Sequence, residues 1–273
     1  MKTRIGVVDF LNARPLVYGL DKERGVELVH DRPARLAAAL RRGDLDVALV
    51  SSIECFRTPE LRIVPEIGIC SEGPVKSVKL FLRKPLEQVE RVALDAGSRT
   101  GQALVKMVFT EFLQRPAVTM REIEPTLDPA KADADAVLLI GDTALRARPG
   151  NLEPLDLGWF WTDRTGLPFV YAVWACRRGK VSEDLLAMLL RARDRGLLER
   201  SRIAATAAGD LDLAVSGLTQ YLTRNLRYQL GEREIKGLER FRDIGAQHGL
   251  CNRHDVPFLK VRMHALSASA SRA

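Results

Sequence analysis

The sequence predicts an α/β protein of two lobes with a ligand cleft between them, on three observations. Short apolar β-forming runs alternate with helix-period segments through the first two-thirds of the 273 residues. Several strand candidates are almost continuously apolar, as in Asp46–Val50 (DVALV) and Ala136–Ile140 (AVLLI), the pattern of strands covered on both faces. The alternation occurs twice, once before Lys84-Pro85 and once after it, and the β-forming run Phe169–Ala175 (FVYAVWA) then returns the chain to the first unit.

Each element has a local reason. Ile5–Phe10 reads as a buried strand and Val26–Val29 as a second; Asp31 and Pro33 then open a helix that ends near Arg42, ahead of Gly43. Asp46–Val50 is a third strand, and Arg62–Ile69 and Val78–Leu82 are strand-like. In the second unit Arg91–Leu94, Val118–Ile123 and Ala136–Ile140 are strands, with a helix over Thr100–Leu113. Lys84-Pro85 reads as the lobe junction, which divides the chain into a discontinuous first lobe, 1–86 with 171–273, and a second lobe, 87–170. From Ser182 onward the pattern is mainly helical. Ser182 is an N-cap with Glu183 and Asp184 in the first turn, and Leu185, Leu186, Leu189 and Leu190 have the three-and-four spacing of a buried face. A later helix opens at Glu232–Glu234, buries Ile235, Leu238 and Phe241, and stops by Gly249. The tail Ala265–Ala273 is small and polar and is read as disordered.

Composition narrows the function. No stretch approaches the roughly 20 apolar residues that cross a bilayer. The run Ile5–Val8 is stopped by Asp9, too short for a signal-peptide core, so a cytoplasmic protein with no membrane partner is expected. Cys55, Cys70, Cys176 and Cys251 form no CxxC pair, and His30, His248, His254 and His264 fall outside ligand spacings. Neither a disulfide framework nor a metal site is therefore expected, and the cysteines read as small apolar packers. The net charge of +7 is spread among interleaved acids with no basic block, which argues against nucleic acid; a positive field would still draw an anionic metabolite into a cleft.

Candidate chemistry sits at the carboxyl ends of strands and the N-termini of the helices that follow, where ligands gather in open α/β sheets. In Asp9–Leu16 (DFLNARPL), Asn12 offers a carbonyl and an amide, Arg14 a fork for a carboxylate, and Pro15 suits a first helical turn; Asn12 as a plain cap is the alternative. Ser51 and Ser52 follow the third strand and either cap a helix or bind an anion beside free N–H groups. Ser77, in GPVKSV, enters the next strand. In Asp95–Gly101 (DAGSRTG) the glycines let backbone approach a ligand, and Ser98, Thr100 and the helix N-terminus make an anion nest beside Arg99 and Gly101. Plain capping by Ser98 and a solvent-facing Arg99 remain the other reading. Asp142, in IGDTA, either caps its helix or accepts a hydrogen bond from a substrate hydroxyl.

Taken in order, LNARPL, DVALVSS, GPVKSV, SRTG, LLIGDTAL, TGLPFVYAVWA and the late YLTRNLRYQLGEREIKGLERF resemble the chorismate dehydratases of the futalosine route to menaquinone, over nearly the whole chain. The sister family, the 1,4-dihydroxy-6-naphthoate synthases, opens with an SPCPNDT-like motif and uses a catalytic histidine, and no histidine lies between His30 and His248 here. The resemblance implies a periplasmic-binding-protein-like type II fold working as a cofactor-free lyase. It would remove water from chorismate to give 3-(1-carboxyvinyloxy)benzoate. It implies a small dicarboxylate as partner and leaves a homodimer open. By the same resemblance, Asn12 hydrogen-bonds at the reacting region and Asp142 orients the substrate or assists departure of hydroxide. Ser98 and Thr100 clamp one carboxylate with help from Ser77, and Arg14, Ser51, Arg99 and Gly101 complete the binding set. The base for the C3 proton is either the substrate's own enolpyruvyl carboxylate or Asp9. A solute-binding protein of the same fold and an effector-binding regulatory domain are the competing classes; the lack of an export signal and of an upstream DNA-binding helix pair speaks against them.

Overall fold

A computed structural model describes residues 2–178 and 182–259; the reading of 265–273 as disordered lies outside the described residues. Two mixed sheets form two lobes. The first holds β1 (Thr3–Val7), β2 (Val26–His30), β3 (Val47–Ser51), β4 (Leu61–Ser71), β10 (Phe169–Arg177) and β11 (Arg227–Gln229), in the order β11-β4-β10-β3-β1-β2. The second holds β5 (Val78–Leu82), β6 (Arg91–Asp95), β7 (Thr119–Ile123), β8 (Ala136–Ile140) and β9 (Glu153–Asp156), in the order β7-β6-β8-β5-β9. β1, β2 and β3 run parallel, and β10 closes antiparallel on both β3 and β4. In the second sheet β6 runs parallel to β7 and β8, and β5 antiparallel to β8 and β9.

The helices follow the local signals. A short α1 (Arg14–Val17) carries Pro15 in its first turn. In α2 (Pro33–Arg42), Leu36, Ala37 and Leu40 are buried, and Gly43 ends the helix at φ 85°, a left-handed stop that suits glycine. The chain continues through α3 (Glu54–Arg57), α4 (Arg99–Met107), α5 (Gly141–Arg146), α6 (Leu157–Thr165), α7 (Glu183–Leu198), α8 (Arg200–Leu211), α9 (Val215–Gln220) and α10 (Glu232–Gln247). Ser182 caps α7 by accepting from Leu185 N–H at 3.2 Å. The helix expected over Thr100–Leu113 is α4 prolonged by a π-helical turn, Val108–Phe112. In α10 Leu238 and Phe241 are buried as expected, whereas Ile235 is half-buried.

The lobe junction differs from expectation. Val78–Leu82 pairs throughout with β8, from Val78 opposite Ile140 to Leu82 opposite Ala136, so β5 belongs to the second sheet. The first crossing is therefore 72–77, and Lys84-Pro85 is a turn inside the second lobe, where Lys84 Nζ lies 3.2 Å from Asp135. The return crossing is 166–168. Asp156 ties the first crossing to the start of α6: its carboxylate accepts from Val75 and Lys76 N–H in the crossing and from Gly158 and Trp159 N–H in the first turn of the helix.

Behind the cleft the lobes share an aromatic seam. Trp161 of α6 meets Phe169 of β10 at 5.1 Å between ring centroids, and Phe112 at 6.4 Å; Phe241 of α10 lies 5.1 Å from Phe169. α10 fits there because Gly237 presses on the Pro168 carbonyl, where a side chain would collide. Beyond the seam, His248 Nε2 lies 2.9 Å from Glu111 of the π turn. Cys55, Cys70 and Cys176 are buried in the core, and burial pushes the Cys176 thiol up to about 11. Among the described residues no helix is long and apolar enough to cross a membrane.

Candidate functional site

Between the lobes lies a cleft lined by residues of both. The first lobe contributes Asn12, on the 3-10 turn Leu11–Ala13 after β1, Ser51 at the end of β3, and Tyr171 and Ala172 of β10. The second contributes Ser77 at the entry to β5, Gly97, Ser98, Thr100 and Gly101 at the start of α4, and Gly141. Among the described residues no charged side chain is on this lining.

The donor set is mostly main chain. Arg99, Thr100 and Gly101 fall in the first turn of α4, where N–H groups have no carbonyl partner within the helix and the helix dipole favours an anion. Ser98 stands at the N-cap, yet its hydroxyl makes no capping bond, which leaves it facing the cleft. Gly101 is required by that hydroxyl: a Cβ there would run into Ser98 Oγ. Thr100 Oγ1 lies 3.4 Å from both Ser52 Oγ and Ile53 N–H, a contact from the second lobe to the first. Asp95, which the sequence reading did not single out, shapes this nest from beneath. Its carboxylate accepts from Gly97 N–H at 2.9 Å and Ile140 N–H at 3.2 Å, which ties β6 to β8. Burial raises its pKa, and those two N–H bonds oppose the rise.

The remaining hydroxyls are held from behind. Tyr221, in the π turn after α9, donates to Ser77 Oγ at 2.7 Å in a buried site, and Tyr171 and Ser71 pair at 2.9 Å. Tyr221 lies in the late motif, but nothing local marks it as reaching Ser77. Burial raises the Tyr221 hydroxyl pKa, while hydrogen bonds with Ser77 and Asn12 oppose that. Asn12 is on the cleft lining, and its Oδ1 is buried with no hydrogen-bond partner among the described residues.

Three expected site residues stand elsewhere. Arg14 points to a groove on the outer side of the first lobe, beside Tyr18, Lys22 and Arg202. Arg99 turns away and lies 3.3 Å from Glu122: a first-turn position that aims its amide at the cleft sends its side chain sideways. Asp142 neither caps α5 nor lines the cleft; both its oxygens accept from Leu11 N–H of the other lobe, at 3.0 and 3.2 Å. Burial raises its pKa, against the Leu11 bond and the nearby charges of Arg14 and Arg146. Asp9 lies at the outer mouth, 76% exposed, with its carboxylate 2.5 Å from His30 Nδ1. That mouth carries one cationic side chain among the described residues, Arg32, whose Nη1 lies 3.6 Å from Glu124 across the opening.

Residues 3–247 match the protein family described as menaquinone biosynthesis. A chorismate dehydratase of Thermus thermophilus is 35% identical over 256 residues, covering 87% of this chain and 93% of the relative. One from Campylobacter jejuni is 25% identical over 245 residues, covering 86% and 94%. Among solved structures, a protein of Archaeoglobus fulgidus superposes with a TM-score of 0.71 at 16% identity, covering 91% of this chain and 98% of that one. The alkanesulfonate-binding protein SsuA of Xanthomonas axonopodis, bound to MOPS, gives 0.63 at 16% identity, covering 94% and 96%. The fold is thus the two-lobed type II fold of periplasmic binding proteins.

Proposed function

This chain belongs to the menaquinone-biosynthesis family, and on that premise we propose that its cleft dehydrates chorismate, as a carbon–oxygen hydro-lyase acting in the cytoplasm. The C3 proton and the C4 hydroxyl leave together as water, and the cyclohexadiene becomes the benzene ring of 3-(1-carboxyvinyloxy)benzoate. Aromaticity supplies the driving force. The protein has to hold a dianion, exclude water and steady the charge that develops as hydroxide departs.

The observation that carries this reading is a lining without charged side chains, built from hydroxyls, the Asn12 amide with its unpaired oxygen and the first turn of α4. One carboxylate fits the N–H groups of Arg99, Thr100 and Gly101 with the Ser98 hydroxyl, and Ser51 and Ser77 flank it. The second carboxylate reaches toward Arg32 at the mouth. Asn12 hydrogen-bonds at the reacting carbon–oxygen bond. No carboxylate or imidazole of the described residues is on the inner lining, and Asp9 is exposed and engaged with His30. That supports the substrate's enolpyruvyl carboxylate as the base for the C3 proton.

The test is to incubate purified protein with chorismate and follow products by chromatography and mass. A product lighter by one water, with a benzoate spectrum, is expected. Unchanged chorismate under conditions where the ligand binds would refute the assignment.

A further inference from the structure

Asp142 lies on the second lobe, at the start of α5, yet its only hydrogen-bonded partner among the described residues is Leu11 N–H of the first lobe. Leu11 opens the 3-10 turn that carries Asn12, and the N-cap of that turn, Phe10, supplies no side-chain cap. The orphan N–H at the start of the turn is therefore capped from across the cleft. The neighbouring residues dock in the same way. Gly141, at φ 57°, lies under the Phe10 ring, and a Cβ there would come within 3.0 Å of it. α5 itself stays with the second lobe through β8 and β5. Phe10-Leu11 thus sits in a seat formed by Gly141-Asp142, and that seat exists only while the lobes are together.

We propose that Asp142 is a positioning residue that couples lobe closure to the setting of Asn12. Closure brings the carboxylate to Leu11 N–H, fixes the 3-10 turn and aims the Asn12 amide at the substrate. When the lobes part, the turn loses its cap and the amide its aim. The role given to Asn12 rests on the dehydratase reading above; the latch itself rests on geometry alone.

Two variants separate this role from acid–base chemistry. Asp142→Asn keeps an oxygen that accepts from Leu11 N–H but has no proton to give or take in the reaction. Asp142→Ala removes the acceptor. Asp142→Asn is expected to keep kcat within about threefold of the parent, while Asp142→Ala loses about thirtyfold or more in kcat with a smaller change in KM, as one lost charge-assisted bond acting mainly in the closed state predicts. Loss of turnover in Asp142→Asn as deep as in Asp142→Ala would overturn the proposal in favour of direct proton transfer, and parent-like kcat in Asp142→Ala would overturn it outright. Hydrogen exchange of the segment containing Leu11, measured without chorismate, tests the latch independently. It is expected to quicken several-fold in Asp142→Ala and not in Asp142→Asn; equal exchange in all three proteins would remove the latch. If the parent protein does not turn over chorismate, the dehydratase reading fails while the exchange result still decides the latch.

Discussion

Gly101→Ala is the sharpest single perturbation of the anion cradle. The added methyl would run into Ser98 Oγ, while its other near neighbours, Ser98 Cβ at 3.4 Å and Ile140 Cγ2 at 3.5 Å, are at ordinary contact distance. The hydroxyl therefore has to rotate out of the cleft, and little else need move. A hydrogen bond to a charged group is worth about 1.5–3 kcal/mol, so kcat/KM should fall roughly 10- to 150-fold. Stability should move the other way: alanine in place of a helical glycine gains up to about 1 kcal/mol. That corresponds to a rise of roughly 2 °C in a chain of this size. Steady-state kinetics on chorismate and a thermal melt measure the two effects separately. Ser98→Ala should reproduce the kinetic loss, and the double variant should be no worse than Ser98→Ala alone, because both changes remove the same hydroxyl. A Gly101→Ala enzyme with parent kcat/KM, or a double variant with the two losses added, would refute the reasoning.

Other expectations follow from single contacts. A methyl on Gly196 of α7 would lie 2.6 Å from the Pro15 carbonyl carbon, so Gly196→Ala should cost about 1–3 kcal/mol in a denaturant melt and disturb the segment that follows Asn12. Tyr221→Phe takes the donor from Ser77 Oγ in a buried site; kcat/KM should fall, and adding Ser77→Ala should then cost less than it does in the parent. Burial works against ionised Asp135, but N–H bonds from Glu90 and Arg91 and the Lys84 ammonium hold its carboxyl below the usual carboxylate range. Its contribution to stability is present above the unfolded-state value and is lost as pH falls through the lower folded value. Asp135→Ala should therefore flatten the acid limb of a stability-against-pH curve; an unchanged limb would exclude that role.

The fold was legible wherever burial imposed a pattern. Val78–Leu82 and Ala136–Ile140 match β5 and β8 to the residue: AVLLI is the unbroken apolar run of a strand covered on both faces, and VKLFL departs from that pattern only at Lys79. The strands that escaped notice are marginal ones. β9 reads Glu-Pro-Leu-Asp at a sheet edge, where a proline is tolerated, and β11 has three residues. The junction was misplaced because a Lys-Pro turn looks alike inside a lobe and between lobes; only the pairing of β5 distinguishes them. At the site, positions that line the cleft at the start of α4 are visible in the sequence as a glycine- and serine-rich helix start. The side chains of Arg14, Arg99 and Asp142 lie off the cleft lining, since residue type reveals what a side chain can do and not which way it points. Tyr221, more than 140 residues from Ser77 in sequence, had no local signal at all.

The aromatic seam behind the cleft determines how the molecule comes apart. Phe112, Trp161, Phe169 and Phe241 belong to segments from both sides of the two crossings, and one continuous core runs from Ile5 to Leu104 and Phe241. The second sheet has a small cluster of its own around Phe81, Val137 and Leu139, but excising either sheet would leave half of the shared seam in water. Unfolding should accordingly appear as one calorimetric transition, with calorimetric and van't Hoff enthalpies equal, despite the two separate sheets. The cleft is thus a split in one side of a single cooperative unit, and the two walls can part only as far as the shared core at the back will bend.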